Sequence, residues 1–536
     1  MASTIRSSAN VSVAILASRV LGVVRDSIFA RIFGVSGLTD AYVAAFRIPN
    51  LLRDLFAEGA LSSAFVPTFS DALVKGGCVR AYRLGNLVLG GILVVTGGLS
   101  LAGFVWADAL VSLITRGFGG DAARVVTAGQ LTRIMMPILA LVSVSAVWMG
   151  MLNAQHRYSA PAYAPAAFNL TSIACGVILL QLRTTQHTGM IVWSAGTAAA
   201  GLLQALVQLP SLYRLGYRVR PALRGLLRDP EVRRIVRLMG PATLGLAAIQ
   251  INVFVNTQYA AALGSGPLTY LQNAFRLFYL PVGLFGVALA TVTTARASNE
   301  AARGDSSAMV ERVSDGVRGV WLLALPSAVG LVVLARPVVE LLFQGGRFLP
   351  IHTAATVPIV QAYMIGVLPY SLVKVFAPAF FAVDRPRVPM MASLASVLAN
   401  LAFNGLTYRS LGAPGLALGT TVAALVNLAI LRTWFRRMMG GKARTRRRGE
   451  LAWLALANVV LGWVAWLAWR AVSRMLVILP SLVRPHGLLR VAHGLGLLAT
   501  IAVAFLTYVG CLALFRVRGA EELWSLPRKL AGRLRR

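Results

Sequence analysis

The sequence predicts an all-α polytopic membrane protein: fourteen transmembrane helices, arranged as two parallel-repeat six-helix lobes around a central cavity, plus two C-terminal helices. Three observations predict it. Of 536 residues, 57% are hydrophobic and only 13% charged, with a mean hydropathy of +0.71, a combination that ordinary soluble domains do not reach. Apolar runs of about 20 residues, the length of one membrane span, recur along the whole chain. The chain also repeats itself at a period of roughly 228 residues.

Taken in order, the spans are centred roughly on residues 20, 55, 98, 140, 172, 201, 250, 283, 328, 368, 398, 425, 463 and 503. Met1 to Asn10 lead into an apolar run that Arg19 and Arg25 interrupt and that has no small-residue cleavage site. This reads as a retained first helix rather than a signal peptide. Lys and Arg number 52 against 18 Asp and Glu, and the excess falls in alternate loops. Lys75, Arg80 and Arg83 come first, then Arg157 after His156, then the linker from Arg214 to Arg237. Arg303 and Arg312, Arg385 and Arg387, the run Arg432 to Arg448 and the tail Arg528 to Arg536 follow. The intervening loops are poor in basic residues, and Ala260 to Leu268 has none; the loop from Arg474 to Arg490 is a mild exception. By the positive-inside bias both termini are cytoplasmic, and the charge reports topology rather than nucleic-acid binding.

Three matches carry the repeat. Leu38-Thr39-Asp40 with Ala45-Phe46-Arg47 corresponds to Leu268-Thr269-Tyr270 with Ala274-Phe275-Arg276. Asp108 to Leu113 before Arg116-Gly117 corresponds to Arg336 to Leu341 before Gly345-Gly346-Arg347, and Arg157 to Pro161 to Arg385 to Pro389. An even number of helices per repeat gives both halves one orientation, with a site expected near the membrane midplane between them. The expected organisation is an N-lobe over 1–215, a basic cytoplasmic linker over 216–237, a C-lobe over 238–440, and over 441–536 the two added helices with a basic tail.

Charges inside spans ask for an explanation. An arginine at the centre of a membrane helix costs about 2.5–3.5 kcal/mol on insertion scales, so Arg19 and Arg25 in the first span and Arg47 and Arg53 in the second imply an anion or a wet cavity. Asp40, Arg47, Asp54 and Glu58 fall on one stripe of the second helix at helical spacing, while Arg53 projects from another face. Pro49 removes a backbone donor mid-segment, where a bend is expected. Arg19 and Asp26 share a face of the first helix, and Asp26 can hold a neighbouring guanidinium. Acids are too few to neutralise every arginine, and a guanidinium fork suits phosphate. Two readings stand for these residues: interhelical pairing or snorkelling, favoured at Arg31 and Arg47, and ligand binding, favoured at Arg25, Arg53 and Arg276. Lys374, alone on an apolar helix, is a second-tier candidate. Asn256, Asn400, Asn404 and Thr420 are weak candidates for a cation site, with helix–helix hydrogen bonding preferred. Cys78, Cys175 and Cys511 are too scattered for a disulfide or metal site, as are the five histidines. No loop gathers the acids or histidines that a membrane-bound transferase or phosphatase needs, so no enzyme is expected.

Ser18 to Gly22, Arg25-Asp26, Thr39-Asp40-Ala41 and Pro49 to Arg53, followed by Phe56 to Ala60, form a signature. Ala64 to Pro67, Pro161-Ala162 with Ala164-Pro165, Phe285 to Leu289, Leu342-Phe343-Gln344 and Ala377 to Ala382 extend it over essentially the whole chain. In these residues the sequence resembles the MurJ (MviN) lipid II flippases of the multidrug/oligosaccharidyl-lipid/polysaccharide exporter superfamily. The resemblance implies two six-helix lobes and two extra C-terminal helices forming a groove for a polyprenyl tail. It implies transport of lipid II, the undecaprenyl-pyrophosphate-linked peptidoglycan precursor, from the cytoplasmic to the periplasmic leaflet of the bacterial inner membrane. Substrate-binding arginines would be Arg19, Arg25, Arg53 and Arg276, with Asp26, Asp40 and Glu58 accompanying them. Partners would be lipid II, membrane lipids and the cell-wall synthesis machinery. No cofactor is expected, and the energy source would be the membrane potential or a monovalent cation gradient. Where the family offers acids in helices seven and eleven for Na⁺, this chain has only amides. The alternative is a flippase for another polyprenyl-pyrophosphate-linked oligosaccharide; a cationic-drug exporter would want an acidic cavity.

Overall fold

In hydrocarbon a backbone must satisfy its own hydrogen bonds, and this chain does so by helix. A computed structural model describes residues 2–55, 60–182, 184–439, 448–478, 486–515 and 517. Glu58, much of the basic run ending at Arg448, part of the 474–490 loop and the tail from Arg528 lie outside the described residues. Among the described residues the only β pairing is an isolated bridge between Gly345 and Phe348.

The helices are α1 (Ala2–Phe33), α2 (Gly37–Arg53), α3 (Ala60–Val105), α4 (Ala107–Thr115), α5 (Ala122–Met135), α6 (Pro137–Ala154), α7 (Ser159–Gln181), α8 (Gln186–Leu206), α9 (Leu209–Arg214) and α10 (Pro230–Ala262). They continue as α11 (Pro267–Pro281), α12 (Ala288–Ala302), α13 (Ser306–Val333), α14 (Ala335–Leu342), α15 (Pro350–Ile365), α16 (Val367–Phe381), α17 (Arg387–Met438), α18 (Arg448–Ile478) and α19 (His486–Leu514). A 3-10 turn, Arg116–Gly120, follows α4, and a π-helical stretch, Val282–Val287, joins α11 to α12. Among the described residues ten helices are long and apolar enough to cross a membrane; α1, with Arg19, Arg25 and Asp26, is not one of them.

Two of the long helices are each a pair joined at a glycine. Gly77 in α3 (φ 66°, ψ −174°) and Gly412 in α17 (φ 58°, ψ −144°) adopt backbone angles that only glycine reaches without strain, so each kinks the chain between two helical stretches. Left-handed residues recur at about the spacing of the sequence repeat: Gly77 and Gly304, His156 and Asp384, Gly34 and Gly264. The repeat thus marks turns, where backbone geometry is demanding, more than apolar spans, where many sequences serve.

By contacts the chain divides into two units, Met1–Thr269 with Leu342–Leu349, and Tyr270–Leu341 with Pro350–Arg536. In the first, α1 packs on α7, α2 on α5, α7 on α8, and α3 on both α6 and α10. Its core gathers Phe65, Phe69, Leu84, Val147, Met151, Tyr217 and Ile235. The repeat assigns α10 to the second lobe, but its packing on α3 and α4 groups it with the first unit. In the second unit α12 packs on α13, α16 and α15 on α17, and the pair α18 and α19 rests on α13. Leu322, Leu454, Leu461, Leu497 and Leu512 form that contact, where the buried Tyr508 hydroxyl donates to the Leu322 carbonyl at 3.1 Å.

The basic linker is a strap docked on α3. Asn86 Oδ1 accepts from Tyr217 Oη (2.6 Å) and the Arg220 N–H (3.0 Å), its Nδ2 donates to the Arg218 carbonyl (3.2 Å), and its own carbonyl accepts from Ala222 N–H (3.0 Å). Burial pushes the Tyr217 phenol above its ordinary range, keeping it a neutral donor. Asn86→Ala leaves the Tyr217 hydroxyl and a backbone N–H without their partner, at about 1–3 kcal/mol for each buried group left unsatisfied. The expected result is a lower thermal midpoint and faster tryptic cleavage after Arg218 and Arg224; unchanged cleavage would show that Asn86 does not hold the strap.

Candidate functional site

The first span positions its charges by packing on α7. Asn169 of α7 donates to the Ser18 carbonyl at 2.9 Å, fixing the stretch of α1 that carries Arg19 and Arg25. Arg25 turns Nε (3.0 Å) and Nη2 (2.9 Å) onto Asp26 Oδ1, and its guanidinium also lies 5.6 Å from the centre of the Phe168 ring. Arg25 keeps only 18% of its side-chain surface and Asp26 10%. Holding a charged guanidinium there takes a charge-assisted bond, which Asp26 supplies without engaging Nη1. Arg19 is half-buried on the same helix. Arg31 is half-buried near the end of α1, where its carbonyl accepts the Arg347 N–H at 2.9 Å.

The second span repeats the device. Arg53 turns Nε (3.3 Å) and Nη2 (3.0 Å) onto Asp54 Oδ1, with 26% of its side chain exposed, while Asp54 Oδ2 accepts from Gln250 of α10 at 3.4 Å. Arg53 and Asp54 leave the helix on different faces, as their positions predict. The long arginine side chain nevertheless swings back to its neighbour, a contact that a wheel of Cα directions does not show. Pro49 lies inside α2, and the helix widens into π-type turns at Asp54 and Leu55. Arg47 is half-buried on α2, and Glu58 lies outside the described residues.

Asp40 does something else. It is fully buried and has no guanidinium within ion-pair distance among the described residues. Its oxygens accept the Gly266 N–H (2.6 Å), the Thr269 N–H (2.9 Å) and the Thr269 hydroxyl (2.6 Å), so the carboxylate closes the N-terminus of α11. Asp40 thus has a capping role besides its place on the stripe that its spacing from Arg47 and Asp54 gives it. Thr39, which forms a capping box with Ser36 at the start of α2, also meets Thr269 hydroxyl to hydroxyl at 3.1 Å. These two threonines occupy matching positions of the repeat. Arg124 of α5 stands nearby, donating to the Gly264 carbonyl (3.2 Å), paired with Asp121 (3.0 Å) and stacked over Phe118 (5.0 Å). Sequence reasoning missed Arg124; the recurrence of Leu-Thr at 38–39 and 268–269 was the available signal for the threonine pair.

Two further charged candidates belong to the second unit. Arg276 is half-buried on α11, and Lys374 Nζ stands 5.3 Å from the centre of the Tyr370 ring, one turn back on α16. Tyr370 meets Phe278 edge-on at 5.4 Å.

Comparison with known proteins decides the family. The model for the family described as "Lipid II flippase MurJ" matches residues 29–484. The lipid II flippase MurJ of Burkholderia cenocepacia is 34% identical over 421 residues, spanning 78% of this chain and 80% of that protein. The chain belongs to the MurJ family. It is accordingly a multi-pass membrane protein of a transporter family. Its fold is that of a solved structure described as "Lipid II flippase MurJ, inward closed conformation", with a TM-score of 0.76 at 23% identity over 94% of this chain and 98% of that one. It is also similar in fold to an inward-facing multidrug resistance MATE transporter of the MOP superfamily, with a TM-score of 0.65 at 16% identity over 80% of this chain and 96% of that one.

The family resemblance raises a Na⁺ site, and the amides here do not fit one. Asn400 and Asn404 of α17 are fully buried, but Asn404 Nδ2 donates to Asn400 Oδ1 at 3.2 Å, spending an oxygen that a cation would need. Thr420 is half-buried, its neighbour Thr421 being the residue that bonds to the Ala362 carbonyl at 3.3 Å. Asn256, in the first unit, donates to Asn252 at 3.3 Å. Among the described residues no group of three or more His, Cys, Asp or Glu side chains comes together.

Removing the Asp40 acceptors tests the cap. In Asp40→Ala the Gly266 and Thr269 N–H groups lose their partner in a buried place, worth about 1–3 kcal/mol each, whereas Asp40→Asn keeps one acceptor oxygen. The thermal midpoint of the purified protein should fall further for Ala than for Asn; equal midpoints would remove Asp40 from this role.

Proposed function

We propose that the protein flips lipid II from the cytoplasmic to the periplasmic leaflet of the bacterial inner membrane by alternating access. Fourteen spans form two six-helix lobes around a central cavity, two further helices follow, and both termini are cytoplasmic. The observation that carries the reading is the pair of guanidiniums, Arg25 and Arg53, each half-withdrawn from water on an apolar helix and each oriented by the next residue's carboxylate. Family membership supplies the substrate class, since the relatives are lipid II flippases. Recurrence of left-handed turns in the two halves supports the two-lobed arrangement.

The mechanism follows from charge. Arg25, Arg53 and Arg276, with Arg19, bind the pyrophosphate when the cavity opens to the cytoplasm, and the polyprenyl tail stays in lipid. Asp26 and Asp54 hold the guanidinium forks in place so that little side-chain freedom is lost on binding. Bound pyrophosphate cancels the repulsion among the arginines, so the state open to the other side becomes favourable; a ligand shifts the equilibrium only by its differential affinity for the two states. The empty cationic cavity returns toward a negative cytoplasm, a movement worth about 2.3 kcal/mol per charge per 100 mV.

Replacement of Arg25, Arg53 or Arg276 by Glu in a strain that depends on this protein should abolish growth with the protein still present in the membrane at normal level. Arg25→Lys, which keeps the charge without the fork, should retain part of the function. Depletion should leave lipid II in the cytoplasmic leaflet, read by accessibility to an externally added modifying reagent. Normal growth of the Arg53→Glu strain would sink the clamp, and accumulation in the outer leaflet would sink the direction of transport.

A further inference from the structure

The strap from Leu215 to Asp229 presents its side chains in two directions. Inward, Tyr217 is fully buried, and Val219, Ala222 and Leu226 are half-buried against α3. The approach is close: a Cβ on Gly90 would collide with the Ala222 carbonyl, so only glycine at 90 lets the strap lie flat. The backbone is spent on Asn86, as described above, and Tyr82 Oη donates to the Leu215 carbonyl at 2.6 Å. The strap is therefore an ordered surface of fixed orientation.

Outward, it carries Arg218, Arg220, Arg224 and Arg228, all exposed and none in an ion pair among the described residues. The nearby acids are engaged elsewhere: Asp229 caps α10 through the Glu231 and Val232 N–H groups, and Glu231 pairs with Arg80 at 2.9 Å. Interleaved with the arginines are large apolar side chains turned away from the protein, Leu223 at 55% exposure and Leu227 at 80%. Cations alone would suit any acidic partner. Arginine alternating with exposed leucine, on a segment tied at both ends to membrane helices, suits the headgroup region of a bilayer, where leucine enters the acyl boundary and guanidinium meets phosphate.

We infer that the outward face of this strap binds anionic phospholipid headgroups of the leaflet beside it, Leu223 and Leu227 seating in the bilayer and Arg218, Arg220, Arg224 and Arg228 pairing with lipid phosphates. This is independent of what the cavity transports. It gives the linker a second role besides topology: it tethers the α3 and α10 ends of the first unit to the membrane surface, with a strength set by lipid charge and salt.

The test uses the full chain with its three cysteines replaced by serine and a spin label on Leu227→Cys. The labelled protein is reconstituted in phosphatidylcholine vesicles with and without phosphatidylglycerol. With phosphatidylglycerol the label should lose access to a water-soluble nickel chelate and gain access to oxygen, and high salt should reverse the change. The effect should vanish when the four arginines become glutamine and persist when they become lysine, a pair that separates loss of charge from loss of fold. A label equally protected in both vesicles would overturn the inference in favour of packing on protein alone. A label exposed in both would overturn it in favour of a soluble acidic partner. Protection that appears in phosphatidylcholine only on adding a pyrophosphate-bearing polyprenyl lipid would overturn it in favour of substrate capture, and loss in the lysine variant would exclude simple headgroup pairing.

Discussion

A guanidinium withdrawn from water needs an anion at hydrogen-bond distance, and the first two spans of this protein are organised around meeting that need. The solution is local: Arg25 is held by Asp26 and Arg53 by Asp54, each through Nε and Nη2 on a single carboxylate oxygen. Taking the acid from the adjacent residue leaves the other helices free to pack by shape. Thus α1 meets α7 through Asn169 and the Ser18 carbonyl, and α10 meets the Arg53 pair through Gln250. Because breaking a buried pair leaves an uncompensated charge, the acids are as constrained as the arginines they orient.

The same accounting governs helix ends. A helix start buried away from water leaves N–H groups that something must accept, and at α11 that acceptor is Asp40, a residue more than two hundred positions earlier. At α2 it is Ser36, through a capping box with Thr39. The contact between Thr39 and Thr269 places the two repeat-related starts side by side. Glycines at 77 and 412 supply kinks whose backbone angles no other residue adopts without strain.

Family membership and fold answer different questions. The fold is shared with a MATE transporter at 16% identity, so the fold by itself leaves the cargo open. What the first two spans add to the fold is a pair of partly buried arginines, Arg25 and Arg53, each held by the next residue's carboxylate.

Much was legible in the sequence because it depends on local composition: apolar length sets the spans, loop charge predicts their orientation, and the cost of arginine in lipid singles out Arg25 and Arg53. The signature from Ser18 to Ala60 was specific enough to point to the family by itself. What only tertiary structure decided was partnership. Arg53 and Asp54 point from different faces as Cα vectors yet meet, because the long, flexible arginine side chain can reach across that angle. Asp40 reads as part of a charged stripe, and its capping role was not visible, because its partners are backbone N–H groups of a loop distant in sequence. The linker reads as a run of arginines, and its docking on Asn86 was invisible, since a backbone carbonyl or N–H carries no trace in the residue letter. Sequence by itself determined where charge and apolar length lie along the chain; the structure decided which atoms satisfy one another, since hydrogen bonding acts over a few ångströms of space whatever the separation in sequence.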